Sequence, residues 1–176
     1  MSSLLPNREQ AIELLHKNKC PRQVINHCIA VTDLALETAK KLSAKGLEVN
    51  LELVEAGALL HDLGRSKNHT VDHGLIGAQM AQSIGLPESL ISLIKRHVGG
   101  GITAEEAAGF GWPKDTYTPQ TLEEKIVSYA DKLIDHSKRV PIELEIKRLQ
   151  KENKVEPAER VRKLNEEITS LLGNKP

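Results

Sequence analysis

The chain has 176 residues, 39% of them hydrophobic, and its 24 Lys and Arg residues balance its 24 Asp and Glu residues. This length suits a single domain with one packed core. Without a basic excess, the composition argues against a nucleic-acid duplex or a membrane as partner, because both attract clustered Lys and Arg.

Helix signals dominate the chain. Asn7 is a good N-cap, Pro21 suits the first position of a helix, Gly46 suits a C-terminal stop, and Thr121 with Glu124 has capping-box spacing. These signals and the apolar spacing predict seven to nine helices, over about 8–18, 21–45, 51–63, 73–84, 87–97, 103–109, 121–136, 141–151 and 157–172.

No segment alternates with the period of a strand, so the predicted fold class is all-α. We expect one globular domain over residues 1–176, with a core over about 21–140. The amphipathic helices over about 141–172 form a charged appendage that packs on the core or on a second subunit, as in a homodimer. The aromatic residues of the loop over 109–120 form either a lid over a cleft or a small apolar cluster.

Two observations bear on the cellular compartment. The N-terminus lacks the pattern of a signal peptide, and no apolar run is long enough for a transmembrane helix. Cys20 and Cys28 cannot form a disulfide framework. We therefore expect a cytoplasmic protein.

Several histidines and aspartates stand on apolar helix faces, where a polar side chain needs a partner. His27 and Asp131 interrupt apolar stripes, His97 lies at a helix end, and His61-Asp62 ends the apolar run AGALL. An unpaired charge is costly to bury. A divalent metal would satisfy all of these side chains, because imidazole nitrogen and carboxylate oxygen are its ligands.

The same residues occur within an ordered series of short motifs. After His27 come LLHDLGR, DHGLIGA, KRHVGGG and SYADKL, within residues 21–140. This series resembles the HD-domain metal-dependent phosphohydrolase superfamily, and HDLG is similar to its HD-Ile-Gly variant with Leu63 in place of Ile. The GYP motif of the cyclic-dinucleotide phosphodiesterase branch is missing from the sequence.

The resemblance implies roles for individual residues. A shared metal site would use His27, His61, Asp62 and Asp131. His73 and His97 would hold a second metal or contact a substrate phosphate. Arg65, Lys132 and, with weaker support, Lys67 would bind the phosphate, while Asp62 and Arg65 would act in catalysis. His and carboxylate ligands suit Mn, Fe, Co, Ni, Zn or Mg, as one or two ions.

The implied activity is hydrolysis of a small phosphate ester by metal-activated water. The substrate would be a nucleotide or a related phosphomonoester or phosphodiester. One alternative is a catalytically silent regulatory module that binds a nucleotide or phosphate. Another is an interaction domain whose helices over 141–172 dock a partner.

Overall fold

A computed structural model describes residues 4–174 of the chain. Nine α-helices occur within these residues, together with two short 3-10 helices and one small hairpin. The α-helices are α1 (Arg8–Lys17), α2 (Arg22–Ala44), α3 (Leu51–Leu60), α4 (His73–Ser83), α5 (Glu88–Arg96), α6 (Ala104–Gly109), α7 (Leu122–Lys132), α8 (Ile142–Lys151) and α9 (Val155–Leu171). The 3-10 helices span Leu63–Ser66 and Val98–Gly100. The all-α prediction is confirmed.

The hairpin corrects the prediction of one helix over 121–136. Helix α7 ends at Lys132, and strands β1 (Ile134–Asp135) and β2 (Lys138–Arg139) pair in antiparallel fashion. Between them, His136 adopts a left-handed φ of 56° in the turn of the hairpin. Strands of two residues are too short to show an alternating pattern, so the sequence carried no signal for them.

Two further boundaries differ from the predicted ones. Helix α3 ends at Leu60, and His61 is its C-cap residue. Helix α9 begins at Val155, so Pro157 lies inside its first turn. Proline is tolerated there because the first N–H groups of a helix have no intrahelical acceptor.

Helix α3 is the centre of the core. Seven of its ten residues are buried, and it packs against α1, α2, α5 and α7. Helix α4 packs against α5 and against the 3-10 helix that follows α3. The main core is almost entirely aliphatic, as the low aromatic content of the sequence requires. None of the described helices is long and apolar enough to cross a membrane.

The C-terminal helices pack on the rest of the fold. Leu164 and Ile168 of α9 belong to the main core, while a smaller cluster joins α8 to α9. Arg160 of α9 donates two hydrogen bonds of 2.8 Å to the carboxylate of Glu106 and one of 3.1 Å to the carbonyl of Gly101. These contacts attach α9 to the loop and helix that follow α5.

The loop over 109–120 forms an apolar cluster with its neighbours. Tyr117 is buried with Ile102 and Ala107, and Trp112 packs against them. The indole Nε1 of Trp112 donates a hydrogen bond of 2.7 Å to Asp72. Phe110, by contrast, is 50% exposed.

Candidate metal centre

Five helices bring the predicted ligand residues to one point. His27 lies on α2, His73 begins α4, and Asp131 lies in the last turn of α7. His61 and Asp62 follow α3, and His97 follows α5. His61, Asp62, His73 and His97 are all buried.

The carboxylate of Asp62 lies between two pairs of histidines. Its Oδ1 is 3.1 Å from Nε2 of His73 and 3.4 Å from Nε2 of His97. Its Oδ2 is 3.8 Å from Nε2 of His27 and 3.6 Å from Nε2 of His61. Asp62 therefore offers one carboxylate oxygen to each pair of histidines.

Asp131 joins His27 and His61 in a group of three candidate metal ligands. Its Oδ1 lies 2.9 Å from Nε2 of His27 and 3.4 Å from Nε2 of His61. Ligand atoms of His27, His61 and Asp131 all lie within 4.8 Å of one another, and the same holds for His61, Asp62 and His97. Either group has the spacing to hold a metal ion.

Backbone carbonyls set the orientation of all four imidazole rings. Each Nδ1 donates a hydrogen bond of 2.7 Å to a carbonyl oxygen, which can only accept. The acceptors are His136 for His27, Ala58 for His61, Thr70 for His73 and Ile94 for His97. When neutral, each ring presents an Nε2 lone pair toward Asp62, which is the arrangement of a metal-ligating histidine.

His61 provides the test of whether these residues fit a metal. Its side chain is fully buried, and its Nε2 has no hydrogen-bond partner among the described residues. A buried polar atom without a partner is costly and rare. The orphaned nitrogen points to an additional ligand at this position, and a divalent cation fits both the imidazoles and the carboxylates.

The two aspartates of the cluster are negatively charged and therefore favour a bound cation. Burial opposes ionisation of Asp62, but His61, His73 and His97 outweigh it and hold the pKa of Asp62 well below its usual value. Burial also opposes ionisation of Asp131, yet its neighbours, Lys132 first among them, keep its pKa well below the usual range. Both aspartates are therefore anionic.

Two of the predicted phosphate-binding residues contact these carboxylates. Nε of Arg65 donates a hydrogen bond of 3.0 Å to Oδ2 of Asp62. Lys132 forms an ion pair with Oδ2 of Asp131, so that the other oxygen faces His27. Lys67 is exposed and, among the described residues, does not belong to those that line the cleft.

The cluster opens into a cleft with two lobes. The α6 lobe, of about 550 Å³, contains His73 and His97 and extends along the apolar residues Val98, Ile102 and Phe110. The hairpin lobe, of about 600 Å³, contains His27 and Asp62 and extends along the β-hairpin. The residues that line both lobes are Arg65, His69, Asp131, Lys132, Glu145 and Arg148.

The C-terminal helices supply cationic residues that were not among the predicted site residues. Arg148, Lys154 and Arg160 all line the α6 lobe. The sequence shows only amphipathic charged helices there, and such charges normally face solvent. His69, which we expected to be solvent-exposed, is exposed at the mouth of both lobes.

Comparisons with known proteins agree with this architecture. A family model described as HD domain matches residues 24–134, which include every residue of the cluster. An uncharacterised protein of Methanocaldococcus jannaschii is 46% identical over 93% of this chain and 98% of its own length. A tRNA (cytidine(56)-2'-O)-methyltransferase of Thermoplasma volcanium is 35% identical over 97% of this chain. The chain spans 49% of that relative's length.

A solved structure shares the fold. It is the crystal structure of the HD domain of the L. monocytogenes phosphodiesterase PgpH in complex with cyclic-di-AMP. Its TM-score is 0.57 at 19% sequence identity, over 92% of this chain and 96% of that one. Because the HD-domain family model matches more than half of this chain's residues, the chain belongs to the HD-domain family.

Proposed function

We propose that the chain is a metal-dependent phosphohydrolase that acts on a small phosphate ester, a nucleotide or a related phosphomonoester or phosphodiester. The observation that carries the proposal is the convergence of four imidazole Nε2 atoms on the carboxylate of Asp62. The solved HD domain with cyclic-di-AMP supports a nucleotide as the ligand class.

His27, His61, Asp62 and Asp131 would hold one divalent ion, and His73 and His97 would share Asp62 to hold a second. A bound divalent metal supplies a water of lowered pKa and stabilises negative charge on phosphoryl oxygens. We propose one or two such ions, drawn from Mn, Fe, Co, Ni, Zn and Mg.

The protein's own groups bind and orient the ester. Arg65 and Lys132 lie beside the carboxylates, where their cationic groups bind phosphate oxygens by charge-assisted hydrogen bonds. Asp62 is anionic and buried, and an oxygen of Asp62 that does not ligate a metal would accept a proton from the attacking water. Lys67 is exposed and would act only at the rim of the site.

We assign no methyl transfer to the chain. The relative with that name is about twice as long, and this chain matches one half of it. The interpretation as a phosphohydrolase depends instead on the histidine and aspartate residues that lie within the HD-domain match.

The test combines metal analysis with a hydrolysis assay. We expect the purified protein to retain a divalent metal and to hydrolyse generic phosphate esters, and Asp62→Asn to lower the rate by at least about 100-fold. Asp33→Asn is the matched control, because Asp33 is exposed and pairs only with Arg8 among the described residues. Nucleotide binding without turnover would favour a silent regulatory module and contradict the enzymatic proposal.

A further inference from the structure

The metal centre lies at the junction of the two lobes. His73 and His97 line the α6 lobe, His27 and Asp62 line the hairpin lobe, and Asp131 lines both. A phosphate bound at the centre would therefore have open space on two sides.

The two lobes are nearly equal in volume, at about 550 Å³ and about 600 Å³. Either volume lies within the range of roughly 300–1,000 Å³ that is typical of small-molecule sites. A phosphomonoester has one organic group and fills one lobe. A phosphodiester has two organic groups, and a centre at the junction can seat both of them.

The lobes differ in the chemistry of their walls. In the α6 lobe the side chains of Val98 and Ile102 accompany Phe110, whose half-exposed ring lies 5.4 Å from that of Trp112. An exposed aromatic ring beside aliphatic side chains suits a flat ring such as a nucleobase. The hairpin lobe includes Gln23, Asp135 and His136, which offer hydrogen bonds to a polar group such as a sugar.

Arg148 of α8 lies on the boundary between the lobes, because it lines both of them. Its Nε and Nη2 donate to Glu145 at 2.9 and 2.7 Å, and its Nη1 donates to Glu152 at 2.8 Å. These bonds orient the guanidinium and use three of its five N–H groups. The other two are available to a phosphate oxygen, for which a guanidinium is well suited.

We propose that the substrate is a phosphodiester with an organic group on each side of the scissile phosphate. Its flat ring lies in the α6 lobe, and Arg148 contacts the phosphate from the C-terminal helices. The inference rests on the proposed function, because it requires hydrolysis at the metal centre. It makes α8 part of the substrate-binding wall.

The experiment compares two chromogenic esters on the full chain loaded with Mn²⁺. One is p-nitrophenyl thymidine 5′-phosphate, a diester with a ring system on each side, and the other is p-nitrophenyl phosphate, a monoester. We expect kcat/KM for the diester to exceed that for the monoester by at least about tenfold. Phe110→Ala raises KM for the diester.

The variant Arg148→Ala tests directly whether α8 contacts the substrate phosphate. We expect it to lower kcat/KM for the diester by about 10- to 100-fold, the effect of losing one charge-assisted hydrogen bond. Lys147→Ala is the matched control, because Lys147 is the exposed preceding residue of α8 and lines neither lobe within the described chain. Both positions are exposed, so neither variant threatens folding.

The outcomes separate this inference from the proposed function. Faster hydrolysis of the monoester, or equal effects of Arg148→Ala and Lys147→Ala, overturns the inference and leaves metal-dependent hydrolysis standing. Failure to hydrolyse either ester with any divalent metal overturns the proposed function, and the inference with it.

Discussion

The Nε2 atoms of His73 and His97 lie 3.1 Å apart. Both rings donate from Nδ1 to backbone carbonyls, so in the neutral state each Nε2 carries a lone pair and no proton. Burial lowers the pKa of His97 to about 4, which keeps this ring neutral near pH 7. In that state the two Nε2 atoms would repel each other at this distance, whereas a divalent cation would take both as ligands.

Metal binding should stabilise the fold. At a free Mn²⁺ concentration of about 100 times Kd, binding adds about 2.7 kcal/mol to the free energy of unfolding. For a chain of this size, that corresponds to a rise in Tm of roughly 5–10 °C. Thermal unfolding with and without Mn²⁺ measures the change.

The same measurement on variants identifies the ligands. We expect His61→Ala to lose most of the Mn²⁺-dependent rise, because His61 Nε2 is the buried nitrogen without a protein partner. His16→Ala, at an exposed histidine of α1, should keep it. An undiminished rise in His61→Ala would show that His61 is not a ligand.

Gly64 permits the close packing that positions His73. A Cβ atom at residue 64 would lie 1.9 Å from the carbonyl oxygen of His73 and 2.7 Å from the amide nitrogen of Gly77. Since both are backbone atoms, Gly64→Ala must displace α4. We expect it to lower the free energy of unfolding by about 2–4 kcal/mol in urea titrations and to weaken metal binding.

Gly109→Ala is the control for this substitution. Gly109 is the last residue of α6, and a Cβ atom there would meet no other atom within 4 Å. Alanine favours helix over glycine by up to about 1 kcal/mol. Gly109→Ala should therefore be neutral or slightly stabilising, and an equal loss in both variants would contradict the role given to Gly64.

The backbone of His136, rather than its side chain, should matter to the metal centre. Its carbonyl accepts the hydrogen bond from Nδ1 of His27, and its φ of 56° is left-handed. Glycine adopts this conformation freely, whereas a β-branched residue is strained in it. We expect His136→Gly to retain Mn²⁺ affinity and His136→Val to weaken it about tenfold, as measured by calorimetric titration.

Losing a hydrogen bond that orients a metal-ligating histidine typically lowers metal affinity by about 10- to 100-fold, and the tenfold loss expected for His136→Val lies in this range. Equal affinity in His136→Gly and His136→Val would show that the hairpin turn does not orient His27. A large loss in His136→Gly would instead assign the effect to the imidazole of His136.

The ion pair between Glu106 and Arg160 should make stability depend on pH. Burial of Glu106 raises its pKa, but hydrogen bonds from Thr103 and the charge of Arg160 outweigh burial and hold it below its ordinary value of 4.5. The ionised form therefore stabilises the fold fully above pH 4.5, and this contribution disappears as the pH falls through the folded pKa.

Glu106→Gln should consequently lower Tm near neutral pH, and the difference from the parent chain should shrink at acid pH. Thermal unfolding between about pH 7 and pH 3 measures it. Glu105→Gln is the control, because the exposed Glu105 forms no ion pair with any described residue. A difference that is constant with pH would exclude a role of the Glu106 charge.

The sequence predicted the helices because their signals are local. Caps such as Asn7 and Thr121 bond to backbone groups three residues away, and both appear as N-caps in the structure. The apolar stripe of α2 likewise marks its buried face. The hairpin after α7 escaped prediction because its geometry depends on a single left-handed residue, His136.

The candidate ligands were also visible in the sequence, since a histidine or aspartate on an apolar stripe needs a partner whatever the fold. Their chemical type and their order along the chain by themselves indicated a metal centre. Their roles at that centre stay proposals.

Only the tertiary structure decided how these side chains meet. It placed one oxygen of Asp62 before each pair of histidines and brought Arg148 of α8 to the boundary of the two lobes. Such relationships depend on how separate helices pack, and they join residues that are far apart in sequence, such as His27 and Asp131. No local pattern encodes a distance between helices, because that distance is set by the packing of the whole aliphatic core.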